Sequence, residues 1–280
     1  MQIGDYTIST LKVSTFALDG GAMFGIIPKP LWSRKTAADN RNRIDLAARC
    51  LLIQDGERNI LVDTGMGDKW ESKYRDIYKI DHETVSLKNL LQQKNLTTED
   101  ITDVILTHLH FDHAGGATKH NGDDIIPAFP NATYYVQENN WNWANNPSEK
   151  DAGSYLKEDF QPLKQHGVLE LVDGPEEILP DIELVLCEGH TVGQQLPLIS
   201  DGHDTLFFGA DLLPTAAHIP VPWIMAYDLY PVITVKEKKK YLNRALEENW
   251  VVVLEHDPDT EAVTIARSDH GFQVDQKLTI

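Results

Sequence analysis

The ten residues Thr107-His108-Leu109-His110-Phe111-Asp112-His113-Ala114-Gly115-Gly116 constrain this chain more than any other stretch. They follow the apolar run Val104-Ile105-Leu106 and set three imidazoles and a carboxylate within six positions. If that run is a buried strand, His108 and His110 project to the same side, because side chains alternate along extended chain. Asp112 and His113 then return on the following bend, and Gly115-Gly116 lets backbone pass close to a site. Imidazole with carboxylate suits zinc, iron(II) or manganese(II), and Asp112 makes the set harder than a thiolate cluster. Scattered surface or core histidines do not produce such a grouping at a strand exit.

Three further apolar runs end in the same way. Glu183–Cys187 leads into Glu188-Gly189-His190, Thr205–Phe208 into Gly209-Ala210-Asp211, and Val251–Leu254 into Glu255-His256-Asp257. Ligand sites in layered α/β architectures gather at the C-terminal edges of strands. Any one of these exits is ordinary. Together with the first cluster they supply His108, His110, Asp112, His113, His190, Asp211 and His256, enough for two metal ions sharing a carboxylate.

The rest of the pattern alternates strand and helix. Thr7–Leu18 reads as a strand, and Ala48–Gln54 with Asn59–Val62 as a hairpin about Asp55-Gly56. Helical spacing marks Ser86–Lys94, Glu138–Asn145, Ser154–His166 and Val235–Asn249, while Ala132–Val136 and Ala262–Ile265 add strands. Thr97-Thr98-Glu99-Asp100 is a capping signal before a short turn. Two sets of strands interleaved with helices, and no glycine-rich phosphate loop, point to two sheets with helices outside them. No linker is visible, so residues 1–280 read as a single domain. Within it, 19–42 is a long irregular stretch carrying Met23, Phe24, Ile26, Ile27, Leu31 and Trp32, expected to be a lid over a pocket or a dimer contact.

Charge and composition narrow the partners. A net charge of −18 disfavours nucleic acid, whose binding relies on Lys and Arg neutralising phosphates. No apolar run approaches the roughly 20 residues that span a bilayer, and Met1–Tyr6 has neither a basic nor an apolar signal region, so a cytoplasmic protein with no membrane partner is expected. Two cysteines, Cys50 and Cys187, make no disulfide framework.

At this point the chain resembles the metallo-beta-lactamase fold superfamily, through His108-Leu109-His110-Phe111-Asp112-His113 and the stretch from Val62-Asp63-Thr64-Gly65 to His256. The resemblance implies an α/β fold, a four-layer αββα sandwich. It further implies two divalent metal ions, zinc first with iron or manganese as alternatives. His108, His110 and His190 would hold one, Asp112, His113 and His256 the other, and Asp211 would bridge. Asp63 matches a family position that orients a ligand histidine, although a turn or cap role explains it equally well.

The fold does not settle the reaction. Beta-lactamases of this family carry Cys or Ser in place of Asp211, and flavodiiron proteins carry Glu in place of His110. The tRNA-processing nucleases have basic surfaces, and the glutathione-binding basic residues of glyoxalase II are not found here. The remaining group hydrolyses small esters: N-acyl homoserine lactonases, pyridoxolactonase-like and methyl parathion hydrolase-like enzymes. Asp19–Gly25, Ile27–Trp32 and Asn42-Arg43-Ile44 resemble its N-terminal loop. Its implied reaction is attack of a metal-bridging hydroxide on a lactone or ester, with Asp112 passing a proton to the leaving alkoxide. No Gly-x-Ser-x-Gly elbow offers another nucleophile.

Well-known acyl homoserine lactonases have a Tyr three residues beyond the bridging Asp; this chain has Pro214. His218 is the candidate replacement donor, against a purely structural role. Phe24, Trp32, Trp223, Met225 and Tyr227, with Trp141 and Trp143 behind them, are expected to line an apolar pocket mouth, or else to pack in the core or a homodimer interface. The expected activity is a quorum-quenching lactonase. A phosphotriesterase or phosphodiesterase of the same fold is the alternative, and a non-catalytic metal-binding protein the third reading.

Overall fold

The computed structural model describes residues 1–81 and 86–280. The chain divides into two compact units, one of Met1–Thr15 with Ala48–Gly174 and one of Phe16–Ala47 with Pro175–Ile280. Each has its own seven-stranded sheet.

The first sheet takes β1 (Gln2–Ile3), β2 (Tyr6–Asp19), β3 (Arg43–Gln54), β4 (Asn59–Val62) and β5 (Asp103–Ile105). After the separate hairpin β6 (Thr118–Asn121) and β7 (Asp124–Pro127) come β8 (Thr133–Gln137) and β9 (Leu169–Val172). Their order is β1-β2-β3-β4-β5-β8-β9. The β3–β4 pair is antiparallel about the Asp55 turn, where Asp55 Oδ1 accepts from Glu57 N and Arg58 N. From β4 to β9 the pairs are parallel, so crossovers are needed, and helices Leu87–Gln93, Glu138–Asn145 and Lys157–Gln165 lie within them. Residues of β3 to β5 are buried almost without interruption, the pattern of strands covered on both faces.

The second sheet runs in chain order. It comprises β10 (Glu176–Leu179), β11 (Ile182–Cys187), β12 (Gln194–Ser200), β13 (Thr205–Phe208), β14 (Val251–Val253), β15 (Ala262–Ser268) and β16 (Gly271–Leu278). Only β13 and β14 are parallel neighbours, joined through helix Pro231–Glu247. Since β11 and β13 are both antiparallel to β12, β11, β13 and β14 all point the same way. Their C-terminal ends therefore reach one edge.

The hairpin, the helix Glu138–Asn145 and most strands follow the sequence pattern, and the structure adds Ser86 as the cap of helix Leu87–Gln93, its side chain accepting from Asn89 N. Thr97–Asp100 closes only a turn, with Asp100 Oδ2 accepting from Thr97 N and Oγ1. β12 escapes the pattern because its first residues are glutamines and Pro197 sits inside it, opposite Leu184. β16 escapes because its outward residues are charged or amide-bearing.

Residues 19–42 are not an open loop. They form two short helices, Gly20–Phe24 and Lys29–Trp32, packed within the second unit. Trp32 lies against Gly20 so tightly that a Cβ there would meet its ring at 2.5 Å. Gly25 takes a φ of 53° where a Cβ would meet Ile224 O at 2.9 Å. Met23, Phe24 and Trp32 are buried, leaving Ile26 and Leu31 as the segment's exposed apolar residues. Cys50 and Cys187 are buried and form no disulfide. No helix among the described residues is long and apolar enough to cross a membrane.

Candidate metal centre

In the first unit the parallel register of β4 and β5 makes the local geometry. Val62 pairs with Ile105, so the residues leaving both strands stay together and Asp63 N donates to Ile105 O at 2.9 Å. Asp63 turns in the left-handed region, φ 57°, which Asp tolerates through its short polar side chain. Its carboxylate then accepts from Thr107 N and Thr107 Oγ1, both at 2.7 Å, and lies 3.0 Å from His113 Nδ1. Asp63 thus caps the strand exit and also holds one ring nitrogen of a buried histidine, leaving its Nε2 for another partner.

His108, His110, Asp112 and His113 are all buried. His108 Nδ1 lies 3.1 Å from Thr107 Oγ1, while His108 Nε2 and His110 Nδ1 face each other at 3.0 Å. Asn140, not foreseen from sequence, accepts from Leu109 N at 3.0 Å and fixes the backbone between the two histidines. Phe111–Ala114 forms one helical turn, which brings Asp112 and His113 back as the sequence implied. The glycines serve a different contact from the one expected. A Cβ on Gly115 would meet Met66 O at 2.3 Å, and one on Gly116 would meet Thr64 O at 2.3 Å. It is thus the Thr64–Gly67 loop that packs on the histidine turn. Lys69 adds to this, donating to Gly115 O and to Thr118 O and pairing with Asp159 at 3.0 Å in a buried ion pair.

The second unit gathers His190, Asp211 and His256 at the edge where β11, β13 and β14 end. Asp211 Oδ2 lies 2.9 Å from His190 Nε2, and Asp211 Oδ1 lies 2.9 Å from His256 Nε2. Each histidine is held from behind through Nδ1: His190 by Asp228 Oδ1 at 3.0 Å, and His256 by Ala47 O at 2.8 Å. Burial alone would hold the His190 pKa down, but Asp211 and Asp228 outweigh it and push it up to about 9. Pro214, where the lactonase Tyr is missing, accepts from His256 N through its carbonyl at 2.9 Å.

These contacts test whether a metal fits. A carbonyl oxygen only accepts, so the contact with Ala47 O places a proton on His256 Nδ1. In the neutral ring Nε2 is then a lone pair, 2.9 Å from a carboxylate oxygen that is also an acceptor. Two acceptors so close need a shared proton or a metal ion between them, and the anchored lone pair and carboxylate are a donor set that a metal would satisfy. His190 lies between two carboxylates that raise its pKa, so without a metal its ring is protonated and donates to both, and a metal at Nε2 would take the place of that proton. Imidazole and carboxylate donors with their second atoms already anchored suit zinc, iron(II) or manganese(II).

His218 does not point into such a site. Its Nδ1 lies 2.7 Å from Thr215 Oγ1 and its Nε2 2.8 Å from Met23 O, and its ring stacks on Phe24 at 4.8 Å. Burial drives its pKa down to about 3, with the Lys238 charge adding to the effect. With both nitrogens engaged inside the unit, it is a neutral brace between the 215–218 turn and the 19–42 segment, not a donor to substrate. Trp32 and Met225 are likewise buried, and Phe24, stacked on Trp32 at 5.3 Å, is buried while bordering a cavity it shares with Ala216, Ile219 and Asp257. Trp141 is buried against Phe160, and Trp143 donates to Asp151. Trp223 and Tyr227 are half-buried.

Sequence reading missed an aromatic wall in the first unit. Phe111, next to Asp112, meets Trp70 at 5.1 Å and Tyr78 at 5.3 Å, and Trp70 donates to Met66 O. Burial and the nearby Asp112 charge both push the Tyr78 hydroxyl pKa up. Helical spacing at Tyr74 and Tyr78 was the available signal, but the helix, Ser72–Tyr78, is only seven residues long.

The comparisons with known proteins agree with this arrangement. The family model described as "Metallo-beta-lactamase superfamily" matches residues 43–256. A solved structure of a probable metal-dependent hydrolase from Staphylococcus aureus is 32% identical, covers 100% of this chain and 99% of that one, and superposes with a TM-score of 0.91. AidC, a dizinc quorum-quenching lactonase, shares the fold at 22% identity, with 100% and 97% coverage and a TM-score of 0.82. An N-acyl homoserine lactonase from a Bacillus species is 33% identical over 166 residues, 56% of this chain and 59% of that protein. One from Bacillus thuringiensis subsp. kurstaki is 30% identical over 162 residues, 54% and 58% of the two chains. The chain thus matches under two thirds of the length of these curated relatives. With its family model spanning most of its length and the α/β fold matched end to end, the chain belongs to the metallo-beta-lactamase superfamily.

Proposed function

We propose that this protein is a dinuclear metal-dependent hydrolase of small lactones or esters. His108, His110 and His190 would hold one divalent ion, Asp112, His113 and His256 the second, and Asp211 would serve both. The observation that carries this reading is the Asp211 carboxylate, whose two oxygens each face the Nε2 of a different anchored histidine. Zinc fits these donors, and iron(II) or manganese(II) would fit by availability. When bound, such ions lower the pKa of a coordinated water toward neutrality and polarise a carbonyl.

The remaining roles fall to the chain. Asp63, Asp228 and Ala47 O fix ligand rings through Nδ1, so the nitrogens they present are set before any ion arrives. Asp112 is an acidic group suited to carry a proton to the departing alkoxide. Phe111, Trp70 and Tyr78 offer an apolar wall for an acyl chain, and Trp223 and Tyr227 are the half-buried aromatics of the other unit. The Bacillus relatives named N-acyl homoserine lactonase favour a lactone over other esters.

The test is a substrate panel with zinc-, iron- and manganese-loaded protein: acyl homoserine lactones, aryl esters, phosphotriesters and bis-p-nitrophenyl phosphate. Lactone turnover with two ions per chain is expected. Activity confined to the phosphodiester would overturn the lactonase reading, and no activity on any of them would favour a binding role.

A further inference from the structure

We infer that Asp228 is a positioning residue that holds His190 in its metal-binding tautomer and ties it to the loop bearing Trp223 and Tyr227. Asp228 lies 17 residues beyond Asp211, in a stretch with no strand or helix to advertise it. It is buried, and its two oxygens serve different donors. Oδ1 lies 3.0 Å from His190 Nδ1, and Oδ2 accepts from Met225 N at 3.2 Å. The backbone repeats the link: Leu229 N donates to His190 O and Tyr230 N to Gly189 O, at 3.0 and 2.8 Å.

The loop is fixed at its other side as well. Lys238 Nζ, buried on helix Pro231–Glu247, donates to the carbonyls of His218, Pro220 and Trp223 at 2.5, 3.1 and 2.6 Å. Ala226 N donates to Ala22 O at 2.8 Å. The loop is therefore held at Trp223, Met225 and Ala226, and Asp228 is the side chain that carries that placement to a candidate ligand.

The donor count shows why a carboxylate stands here. His190 Nδ1–H and Met225 N–H each need an acceptor, and a carboxylate supplies one oxygen to each. Asparagine has one oxygen, so its amide N–H2 would face one of the two donors. A carboxylate behind a ligand imidazole also raises its basicity toward a metal.

The inference rests on the metal reading above, so the experiment separates the two. Zinc affinity of the folded protein is measured by chelator competition for wild type and Asp228→Asn, with the visible spectrum of the cobalt(II)-substituted proteins and the thermal midpoint of the metal-free proteins. Asp228→Asn is expected to bind the zinc that His190 would help to hold about 10–100-fold less tightly and to shift the cobalt spectrum. Equal affinity and an unchanged spectrum, with only a lowered metal-free midpoint, would show a merely structural residue and overturn the inference. Nitrogen-15 spectra of the zinc-loaded wild type give an independent check should the variant not fold: His190 should carry its proton on Nδ1 and bind through Nε2, and the opposite tautomer would refute the assignment. A wild type that takes up no zinc would instead overturn the metal reading itself, and this inference with it.

Discussion

Asp63 Oδ2 lies 3.0 Å from His113 Nδ1, and the same carboxylate accepts both the backbone N–H and the hydroxyl of Thr107. One side chain thus joins the exits of two parallel strands to a candidate ligand. Asp63→Ala would leave the Thr107 N–H and the His113 Nδ1 side without their acceptor, while the Thr107 hydroxyl keeps His108 Nδ1, and a loss of about 2–5 kcal/mol is expected from urea unfolding of the metal-free protein. Asp63→Asn keeps one acceptor and tolerates the left-handed backbone, so it should lose less than half as much.

Asp211 is expected to matter first for metal. Asp211→Ala removes the carboxylate between His190 and His256, and metal analysis after dialysis should show at most one ion per chain with activity gone. Retained activity would defeat the dinuclear proposal. In the metal-free protein the same change also removes the carboxylate that raises the His190 pKa, so its unfolding midpoint should fall at neutral pH.

Stability should depend on pH through Asp159. Burial pushes its carboxyl up to about 6 from an ordinary 3.8, with Lys69 opposing only in part. The folded state therefore holds this proton more tightly than the unfolded one. The stability it contributes is complete below about pH 4 and lost as pH rises through 6, amounting to roughly 3 kcal/mol at most. Asp159→Asn should remove this component, so the difference between variant and wild-type urea midpoints changes between pH 4 and 7 and is flat above.

His218 and Lys238 are expected to act as braces. His218→Gln can place an acceptor toward Thr215 and a donor toward Met23, so its kcat should stay within about tenfold of wild type. A hundredfold loss with an unchanged thermal midpoint would restore a direct catalytic role. Lys238→Met would leave three carbonyls without their donor and should cost about 2–4 kcal/mol in urea unfolding.

Much of the candidate centre is legible in the linear order because each candidate ligand comes within a few residues of an apolar run's end, and a run of that kind announces a buried strand. Asp228, Asn140 and Thr107 are illegible for the opposite reason. Even where the neighbours are informative, as beside Thr107, their roles arise from hydrogen bonds to residues 38, 31 and 44 positions away. Phe24, Trp32 and Met225 mislead because an aromatic or Met in a proline-rich stretch reads the same whether it faces solvent or the core.

The sequence by itself determined which candidate donor residues follow which strands, since side-chain chemistry and strand periodicity are local properties of residue type and spacing. Tertiary structure alone decided which ring nitrogen each histidine presents, that the 19–42 segment is packed, and that His218 is a brace. Those outcomes depend on which distant acceptor occupies each nitrogen and which side chain fills each space, and only the folded chain brings those groups together.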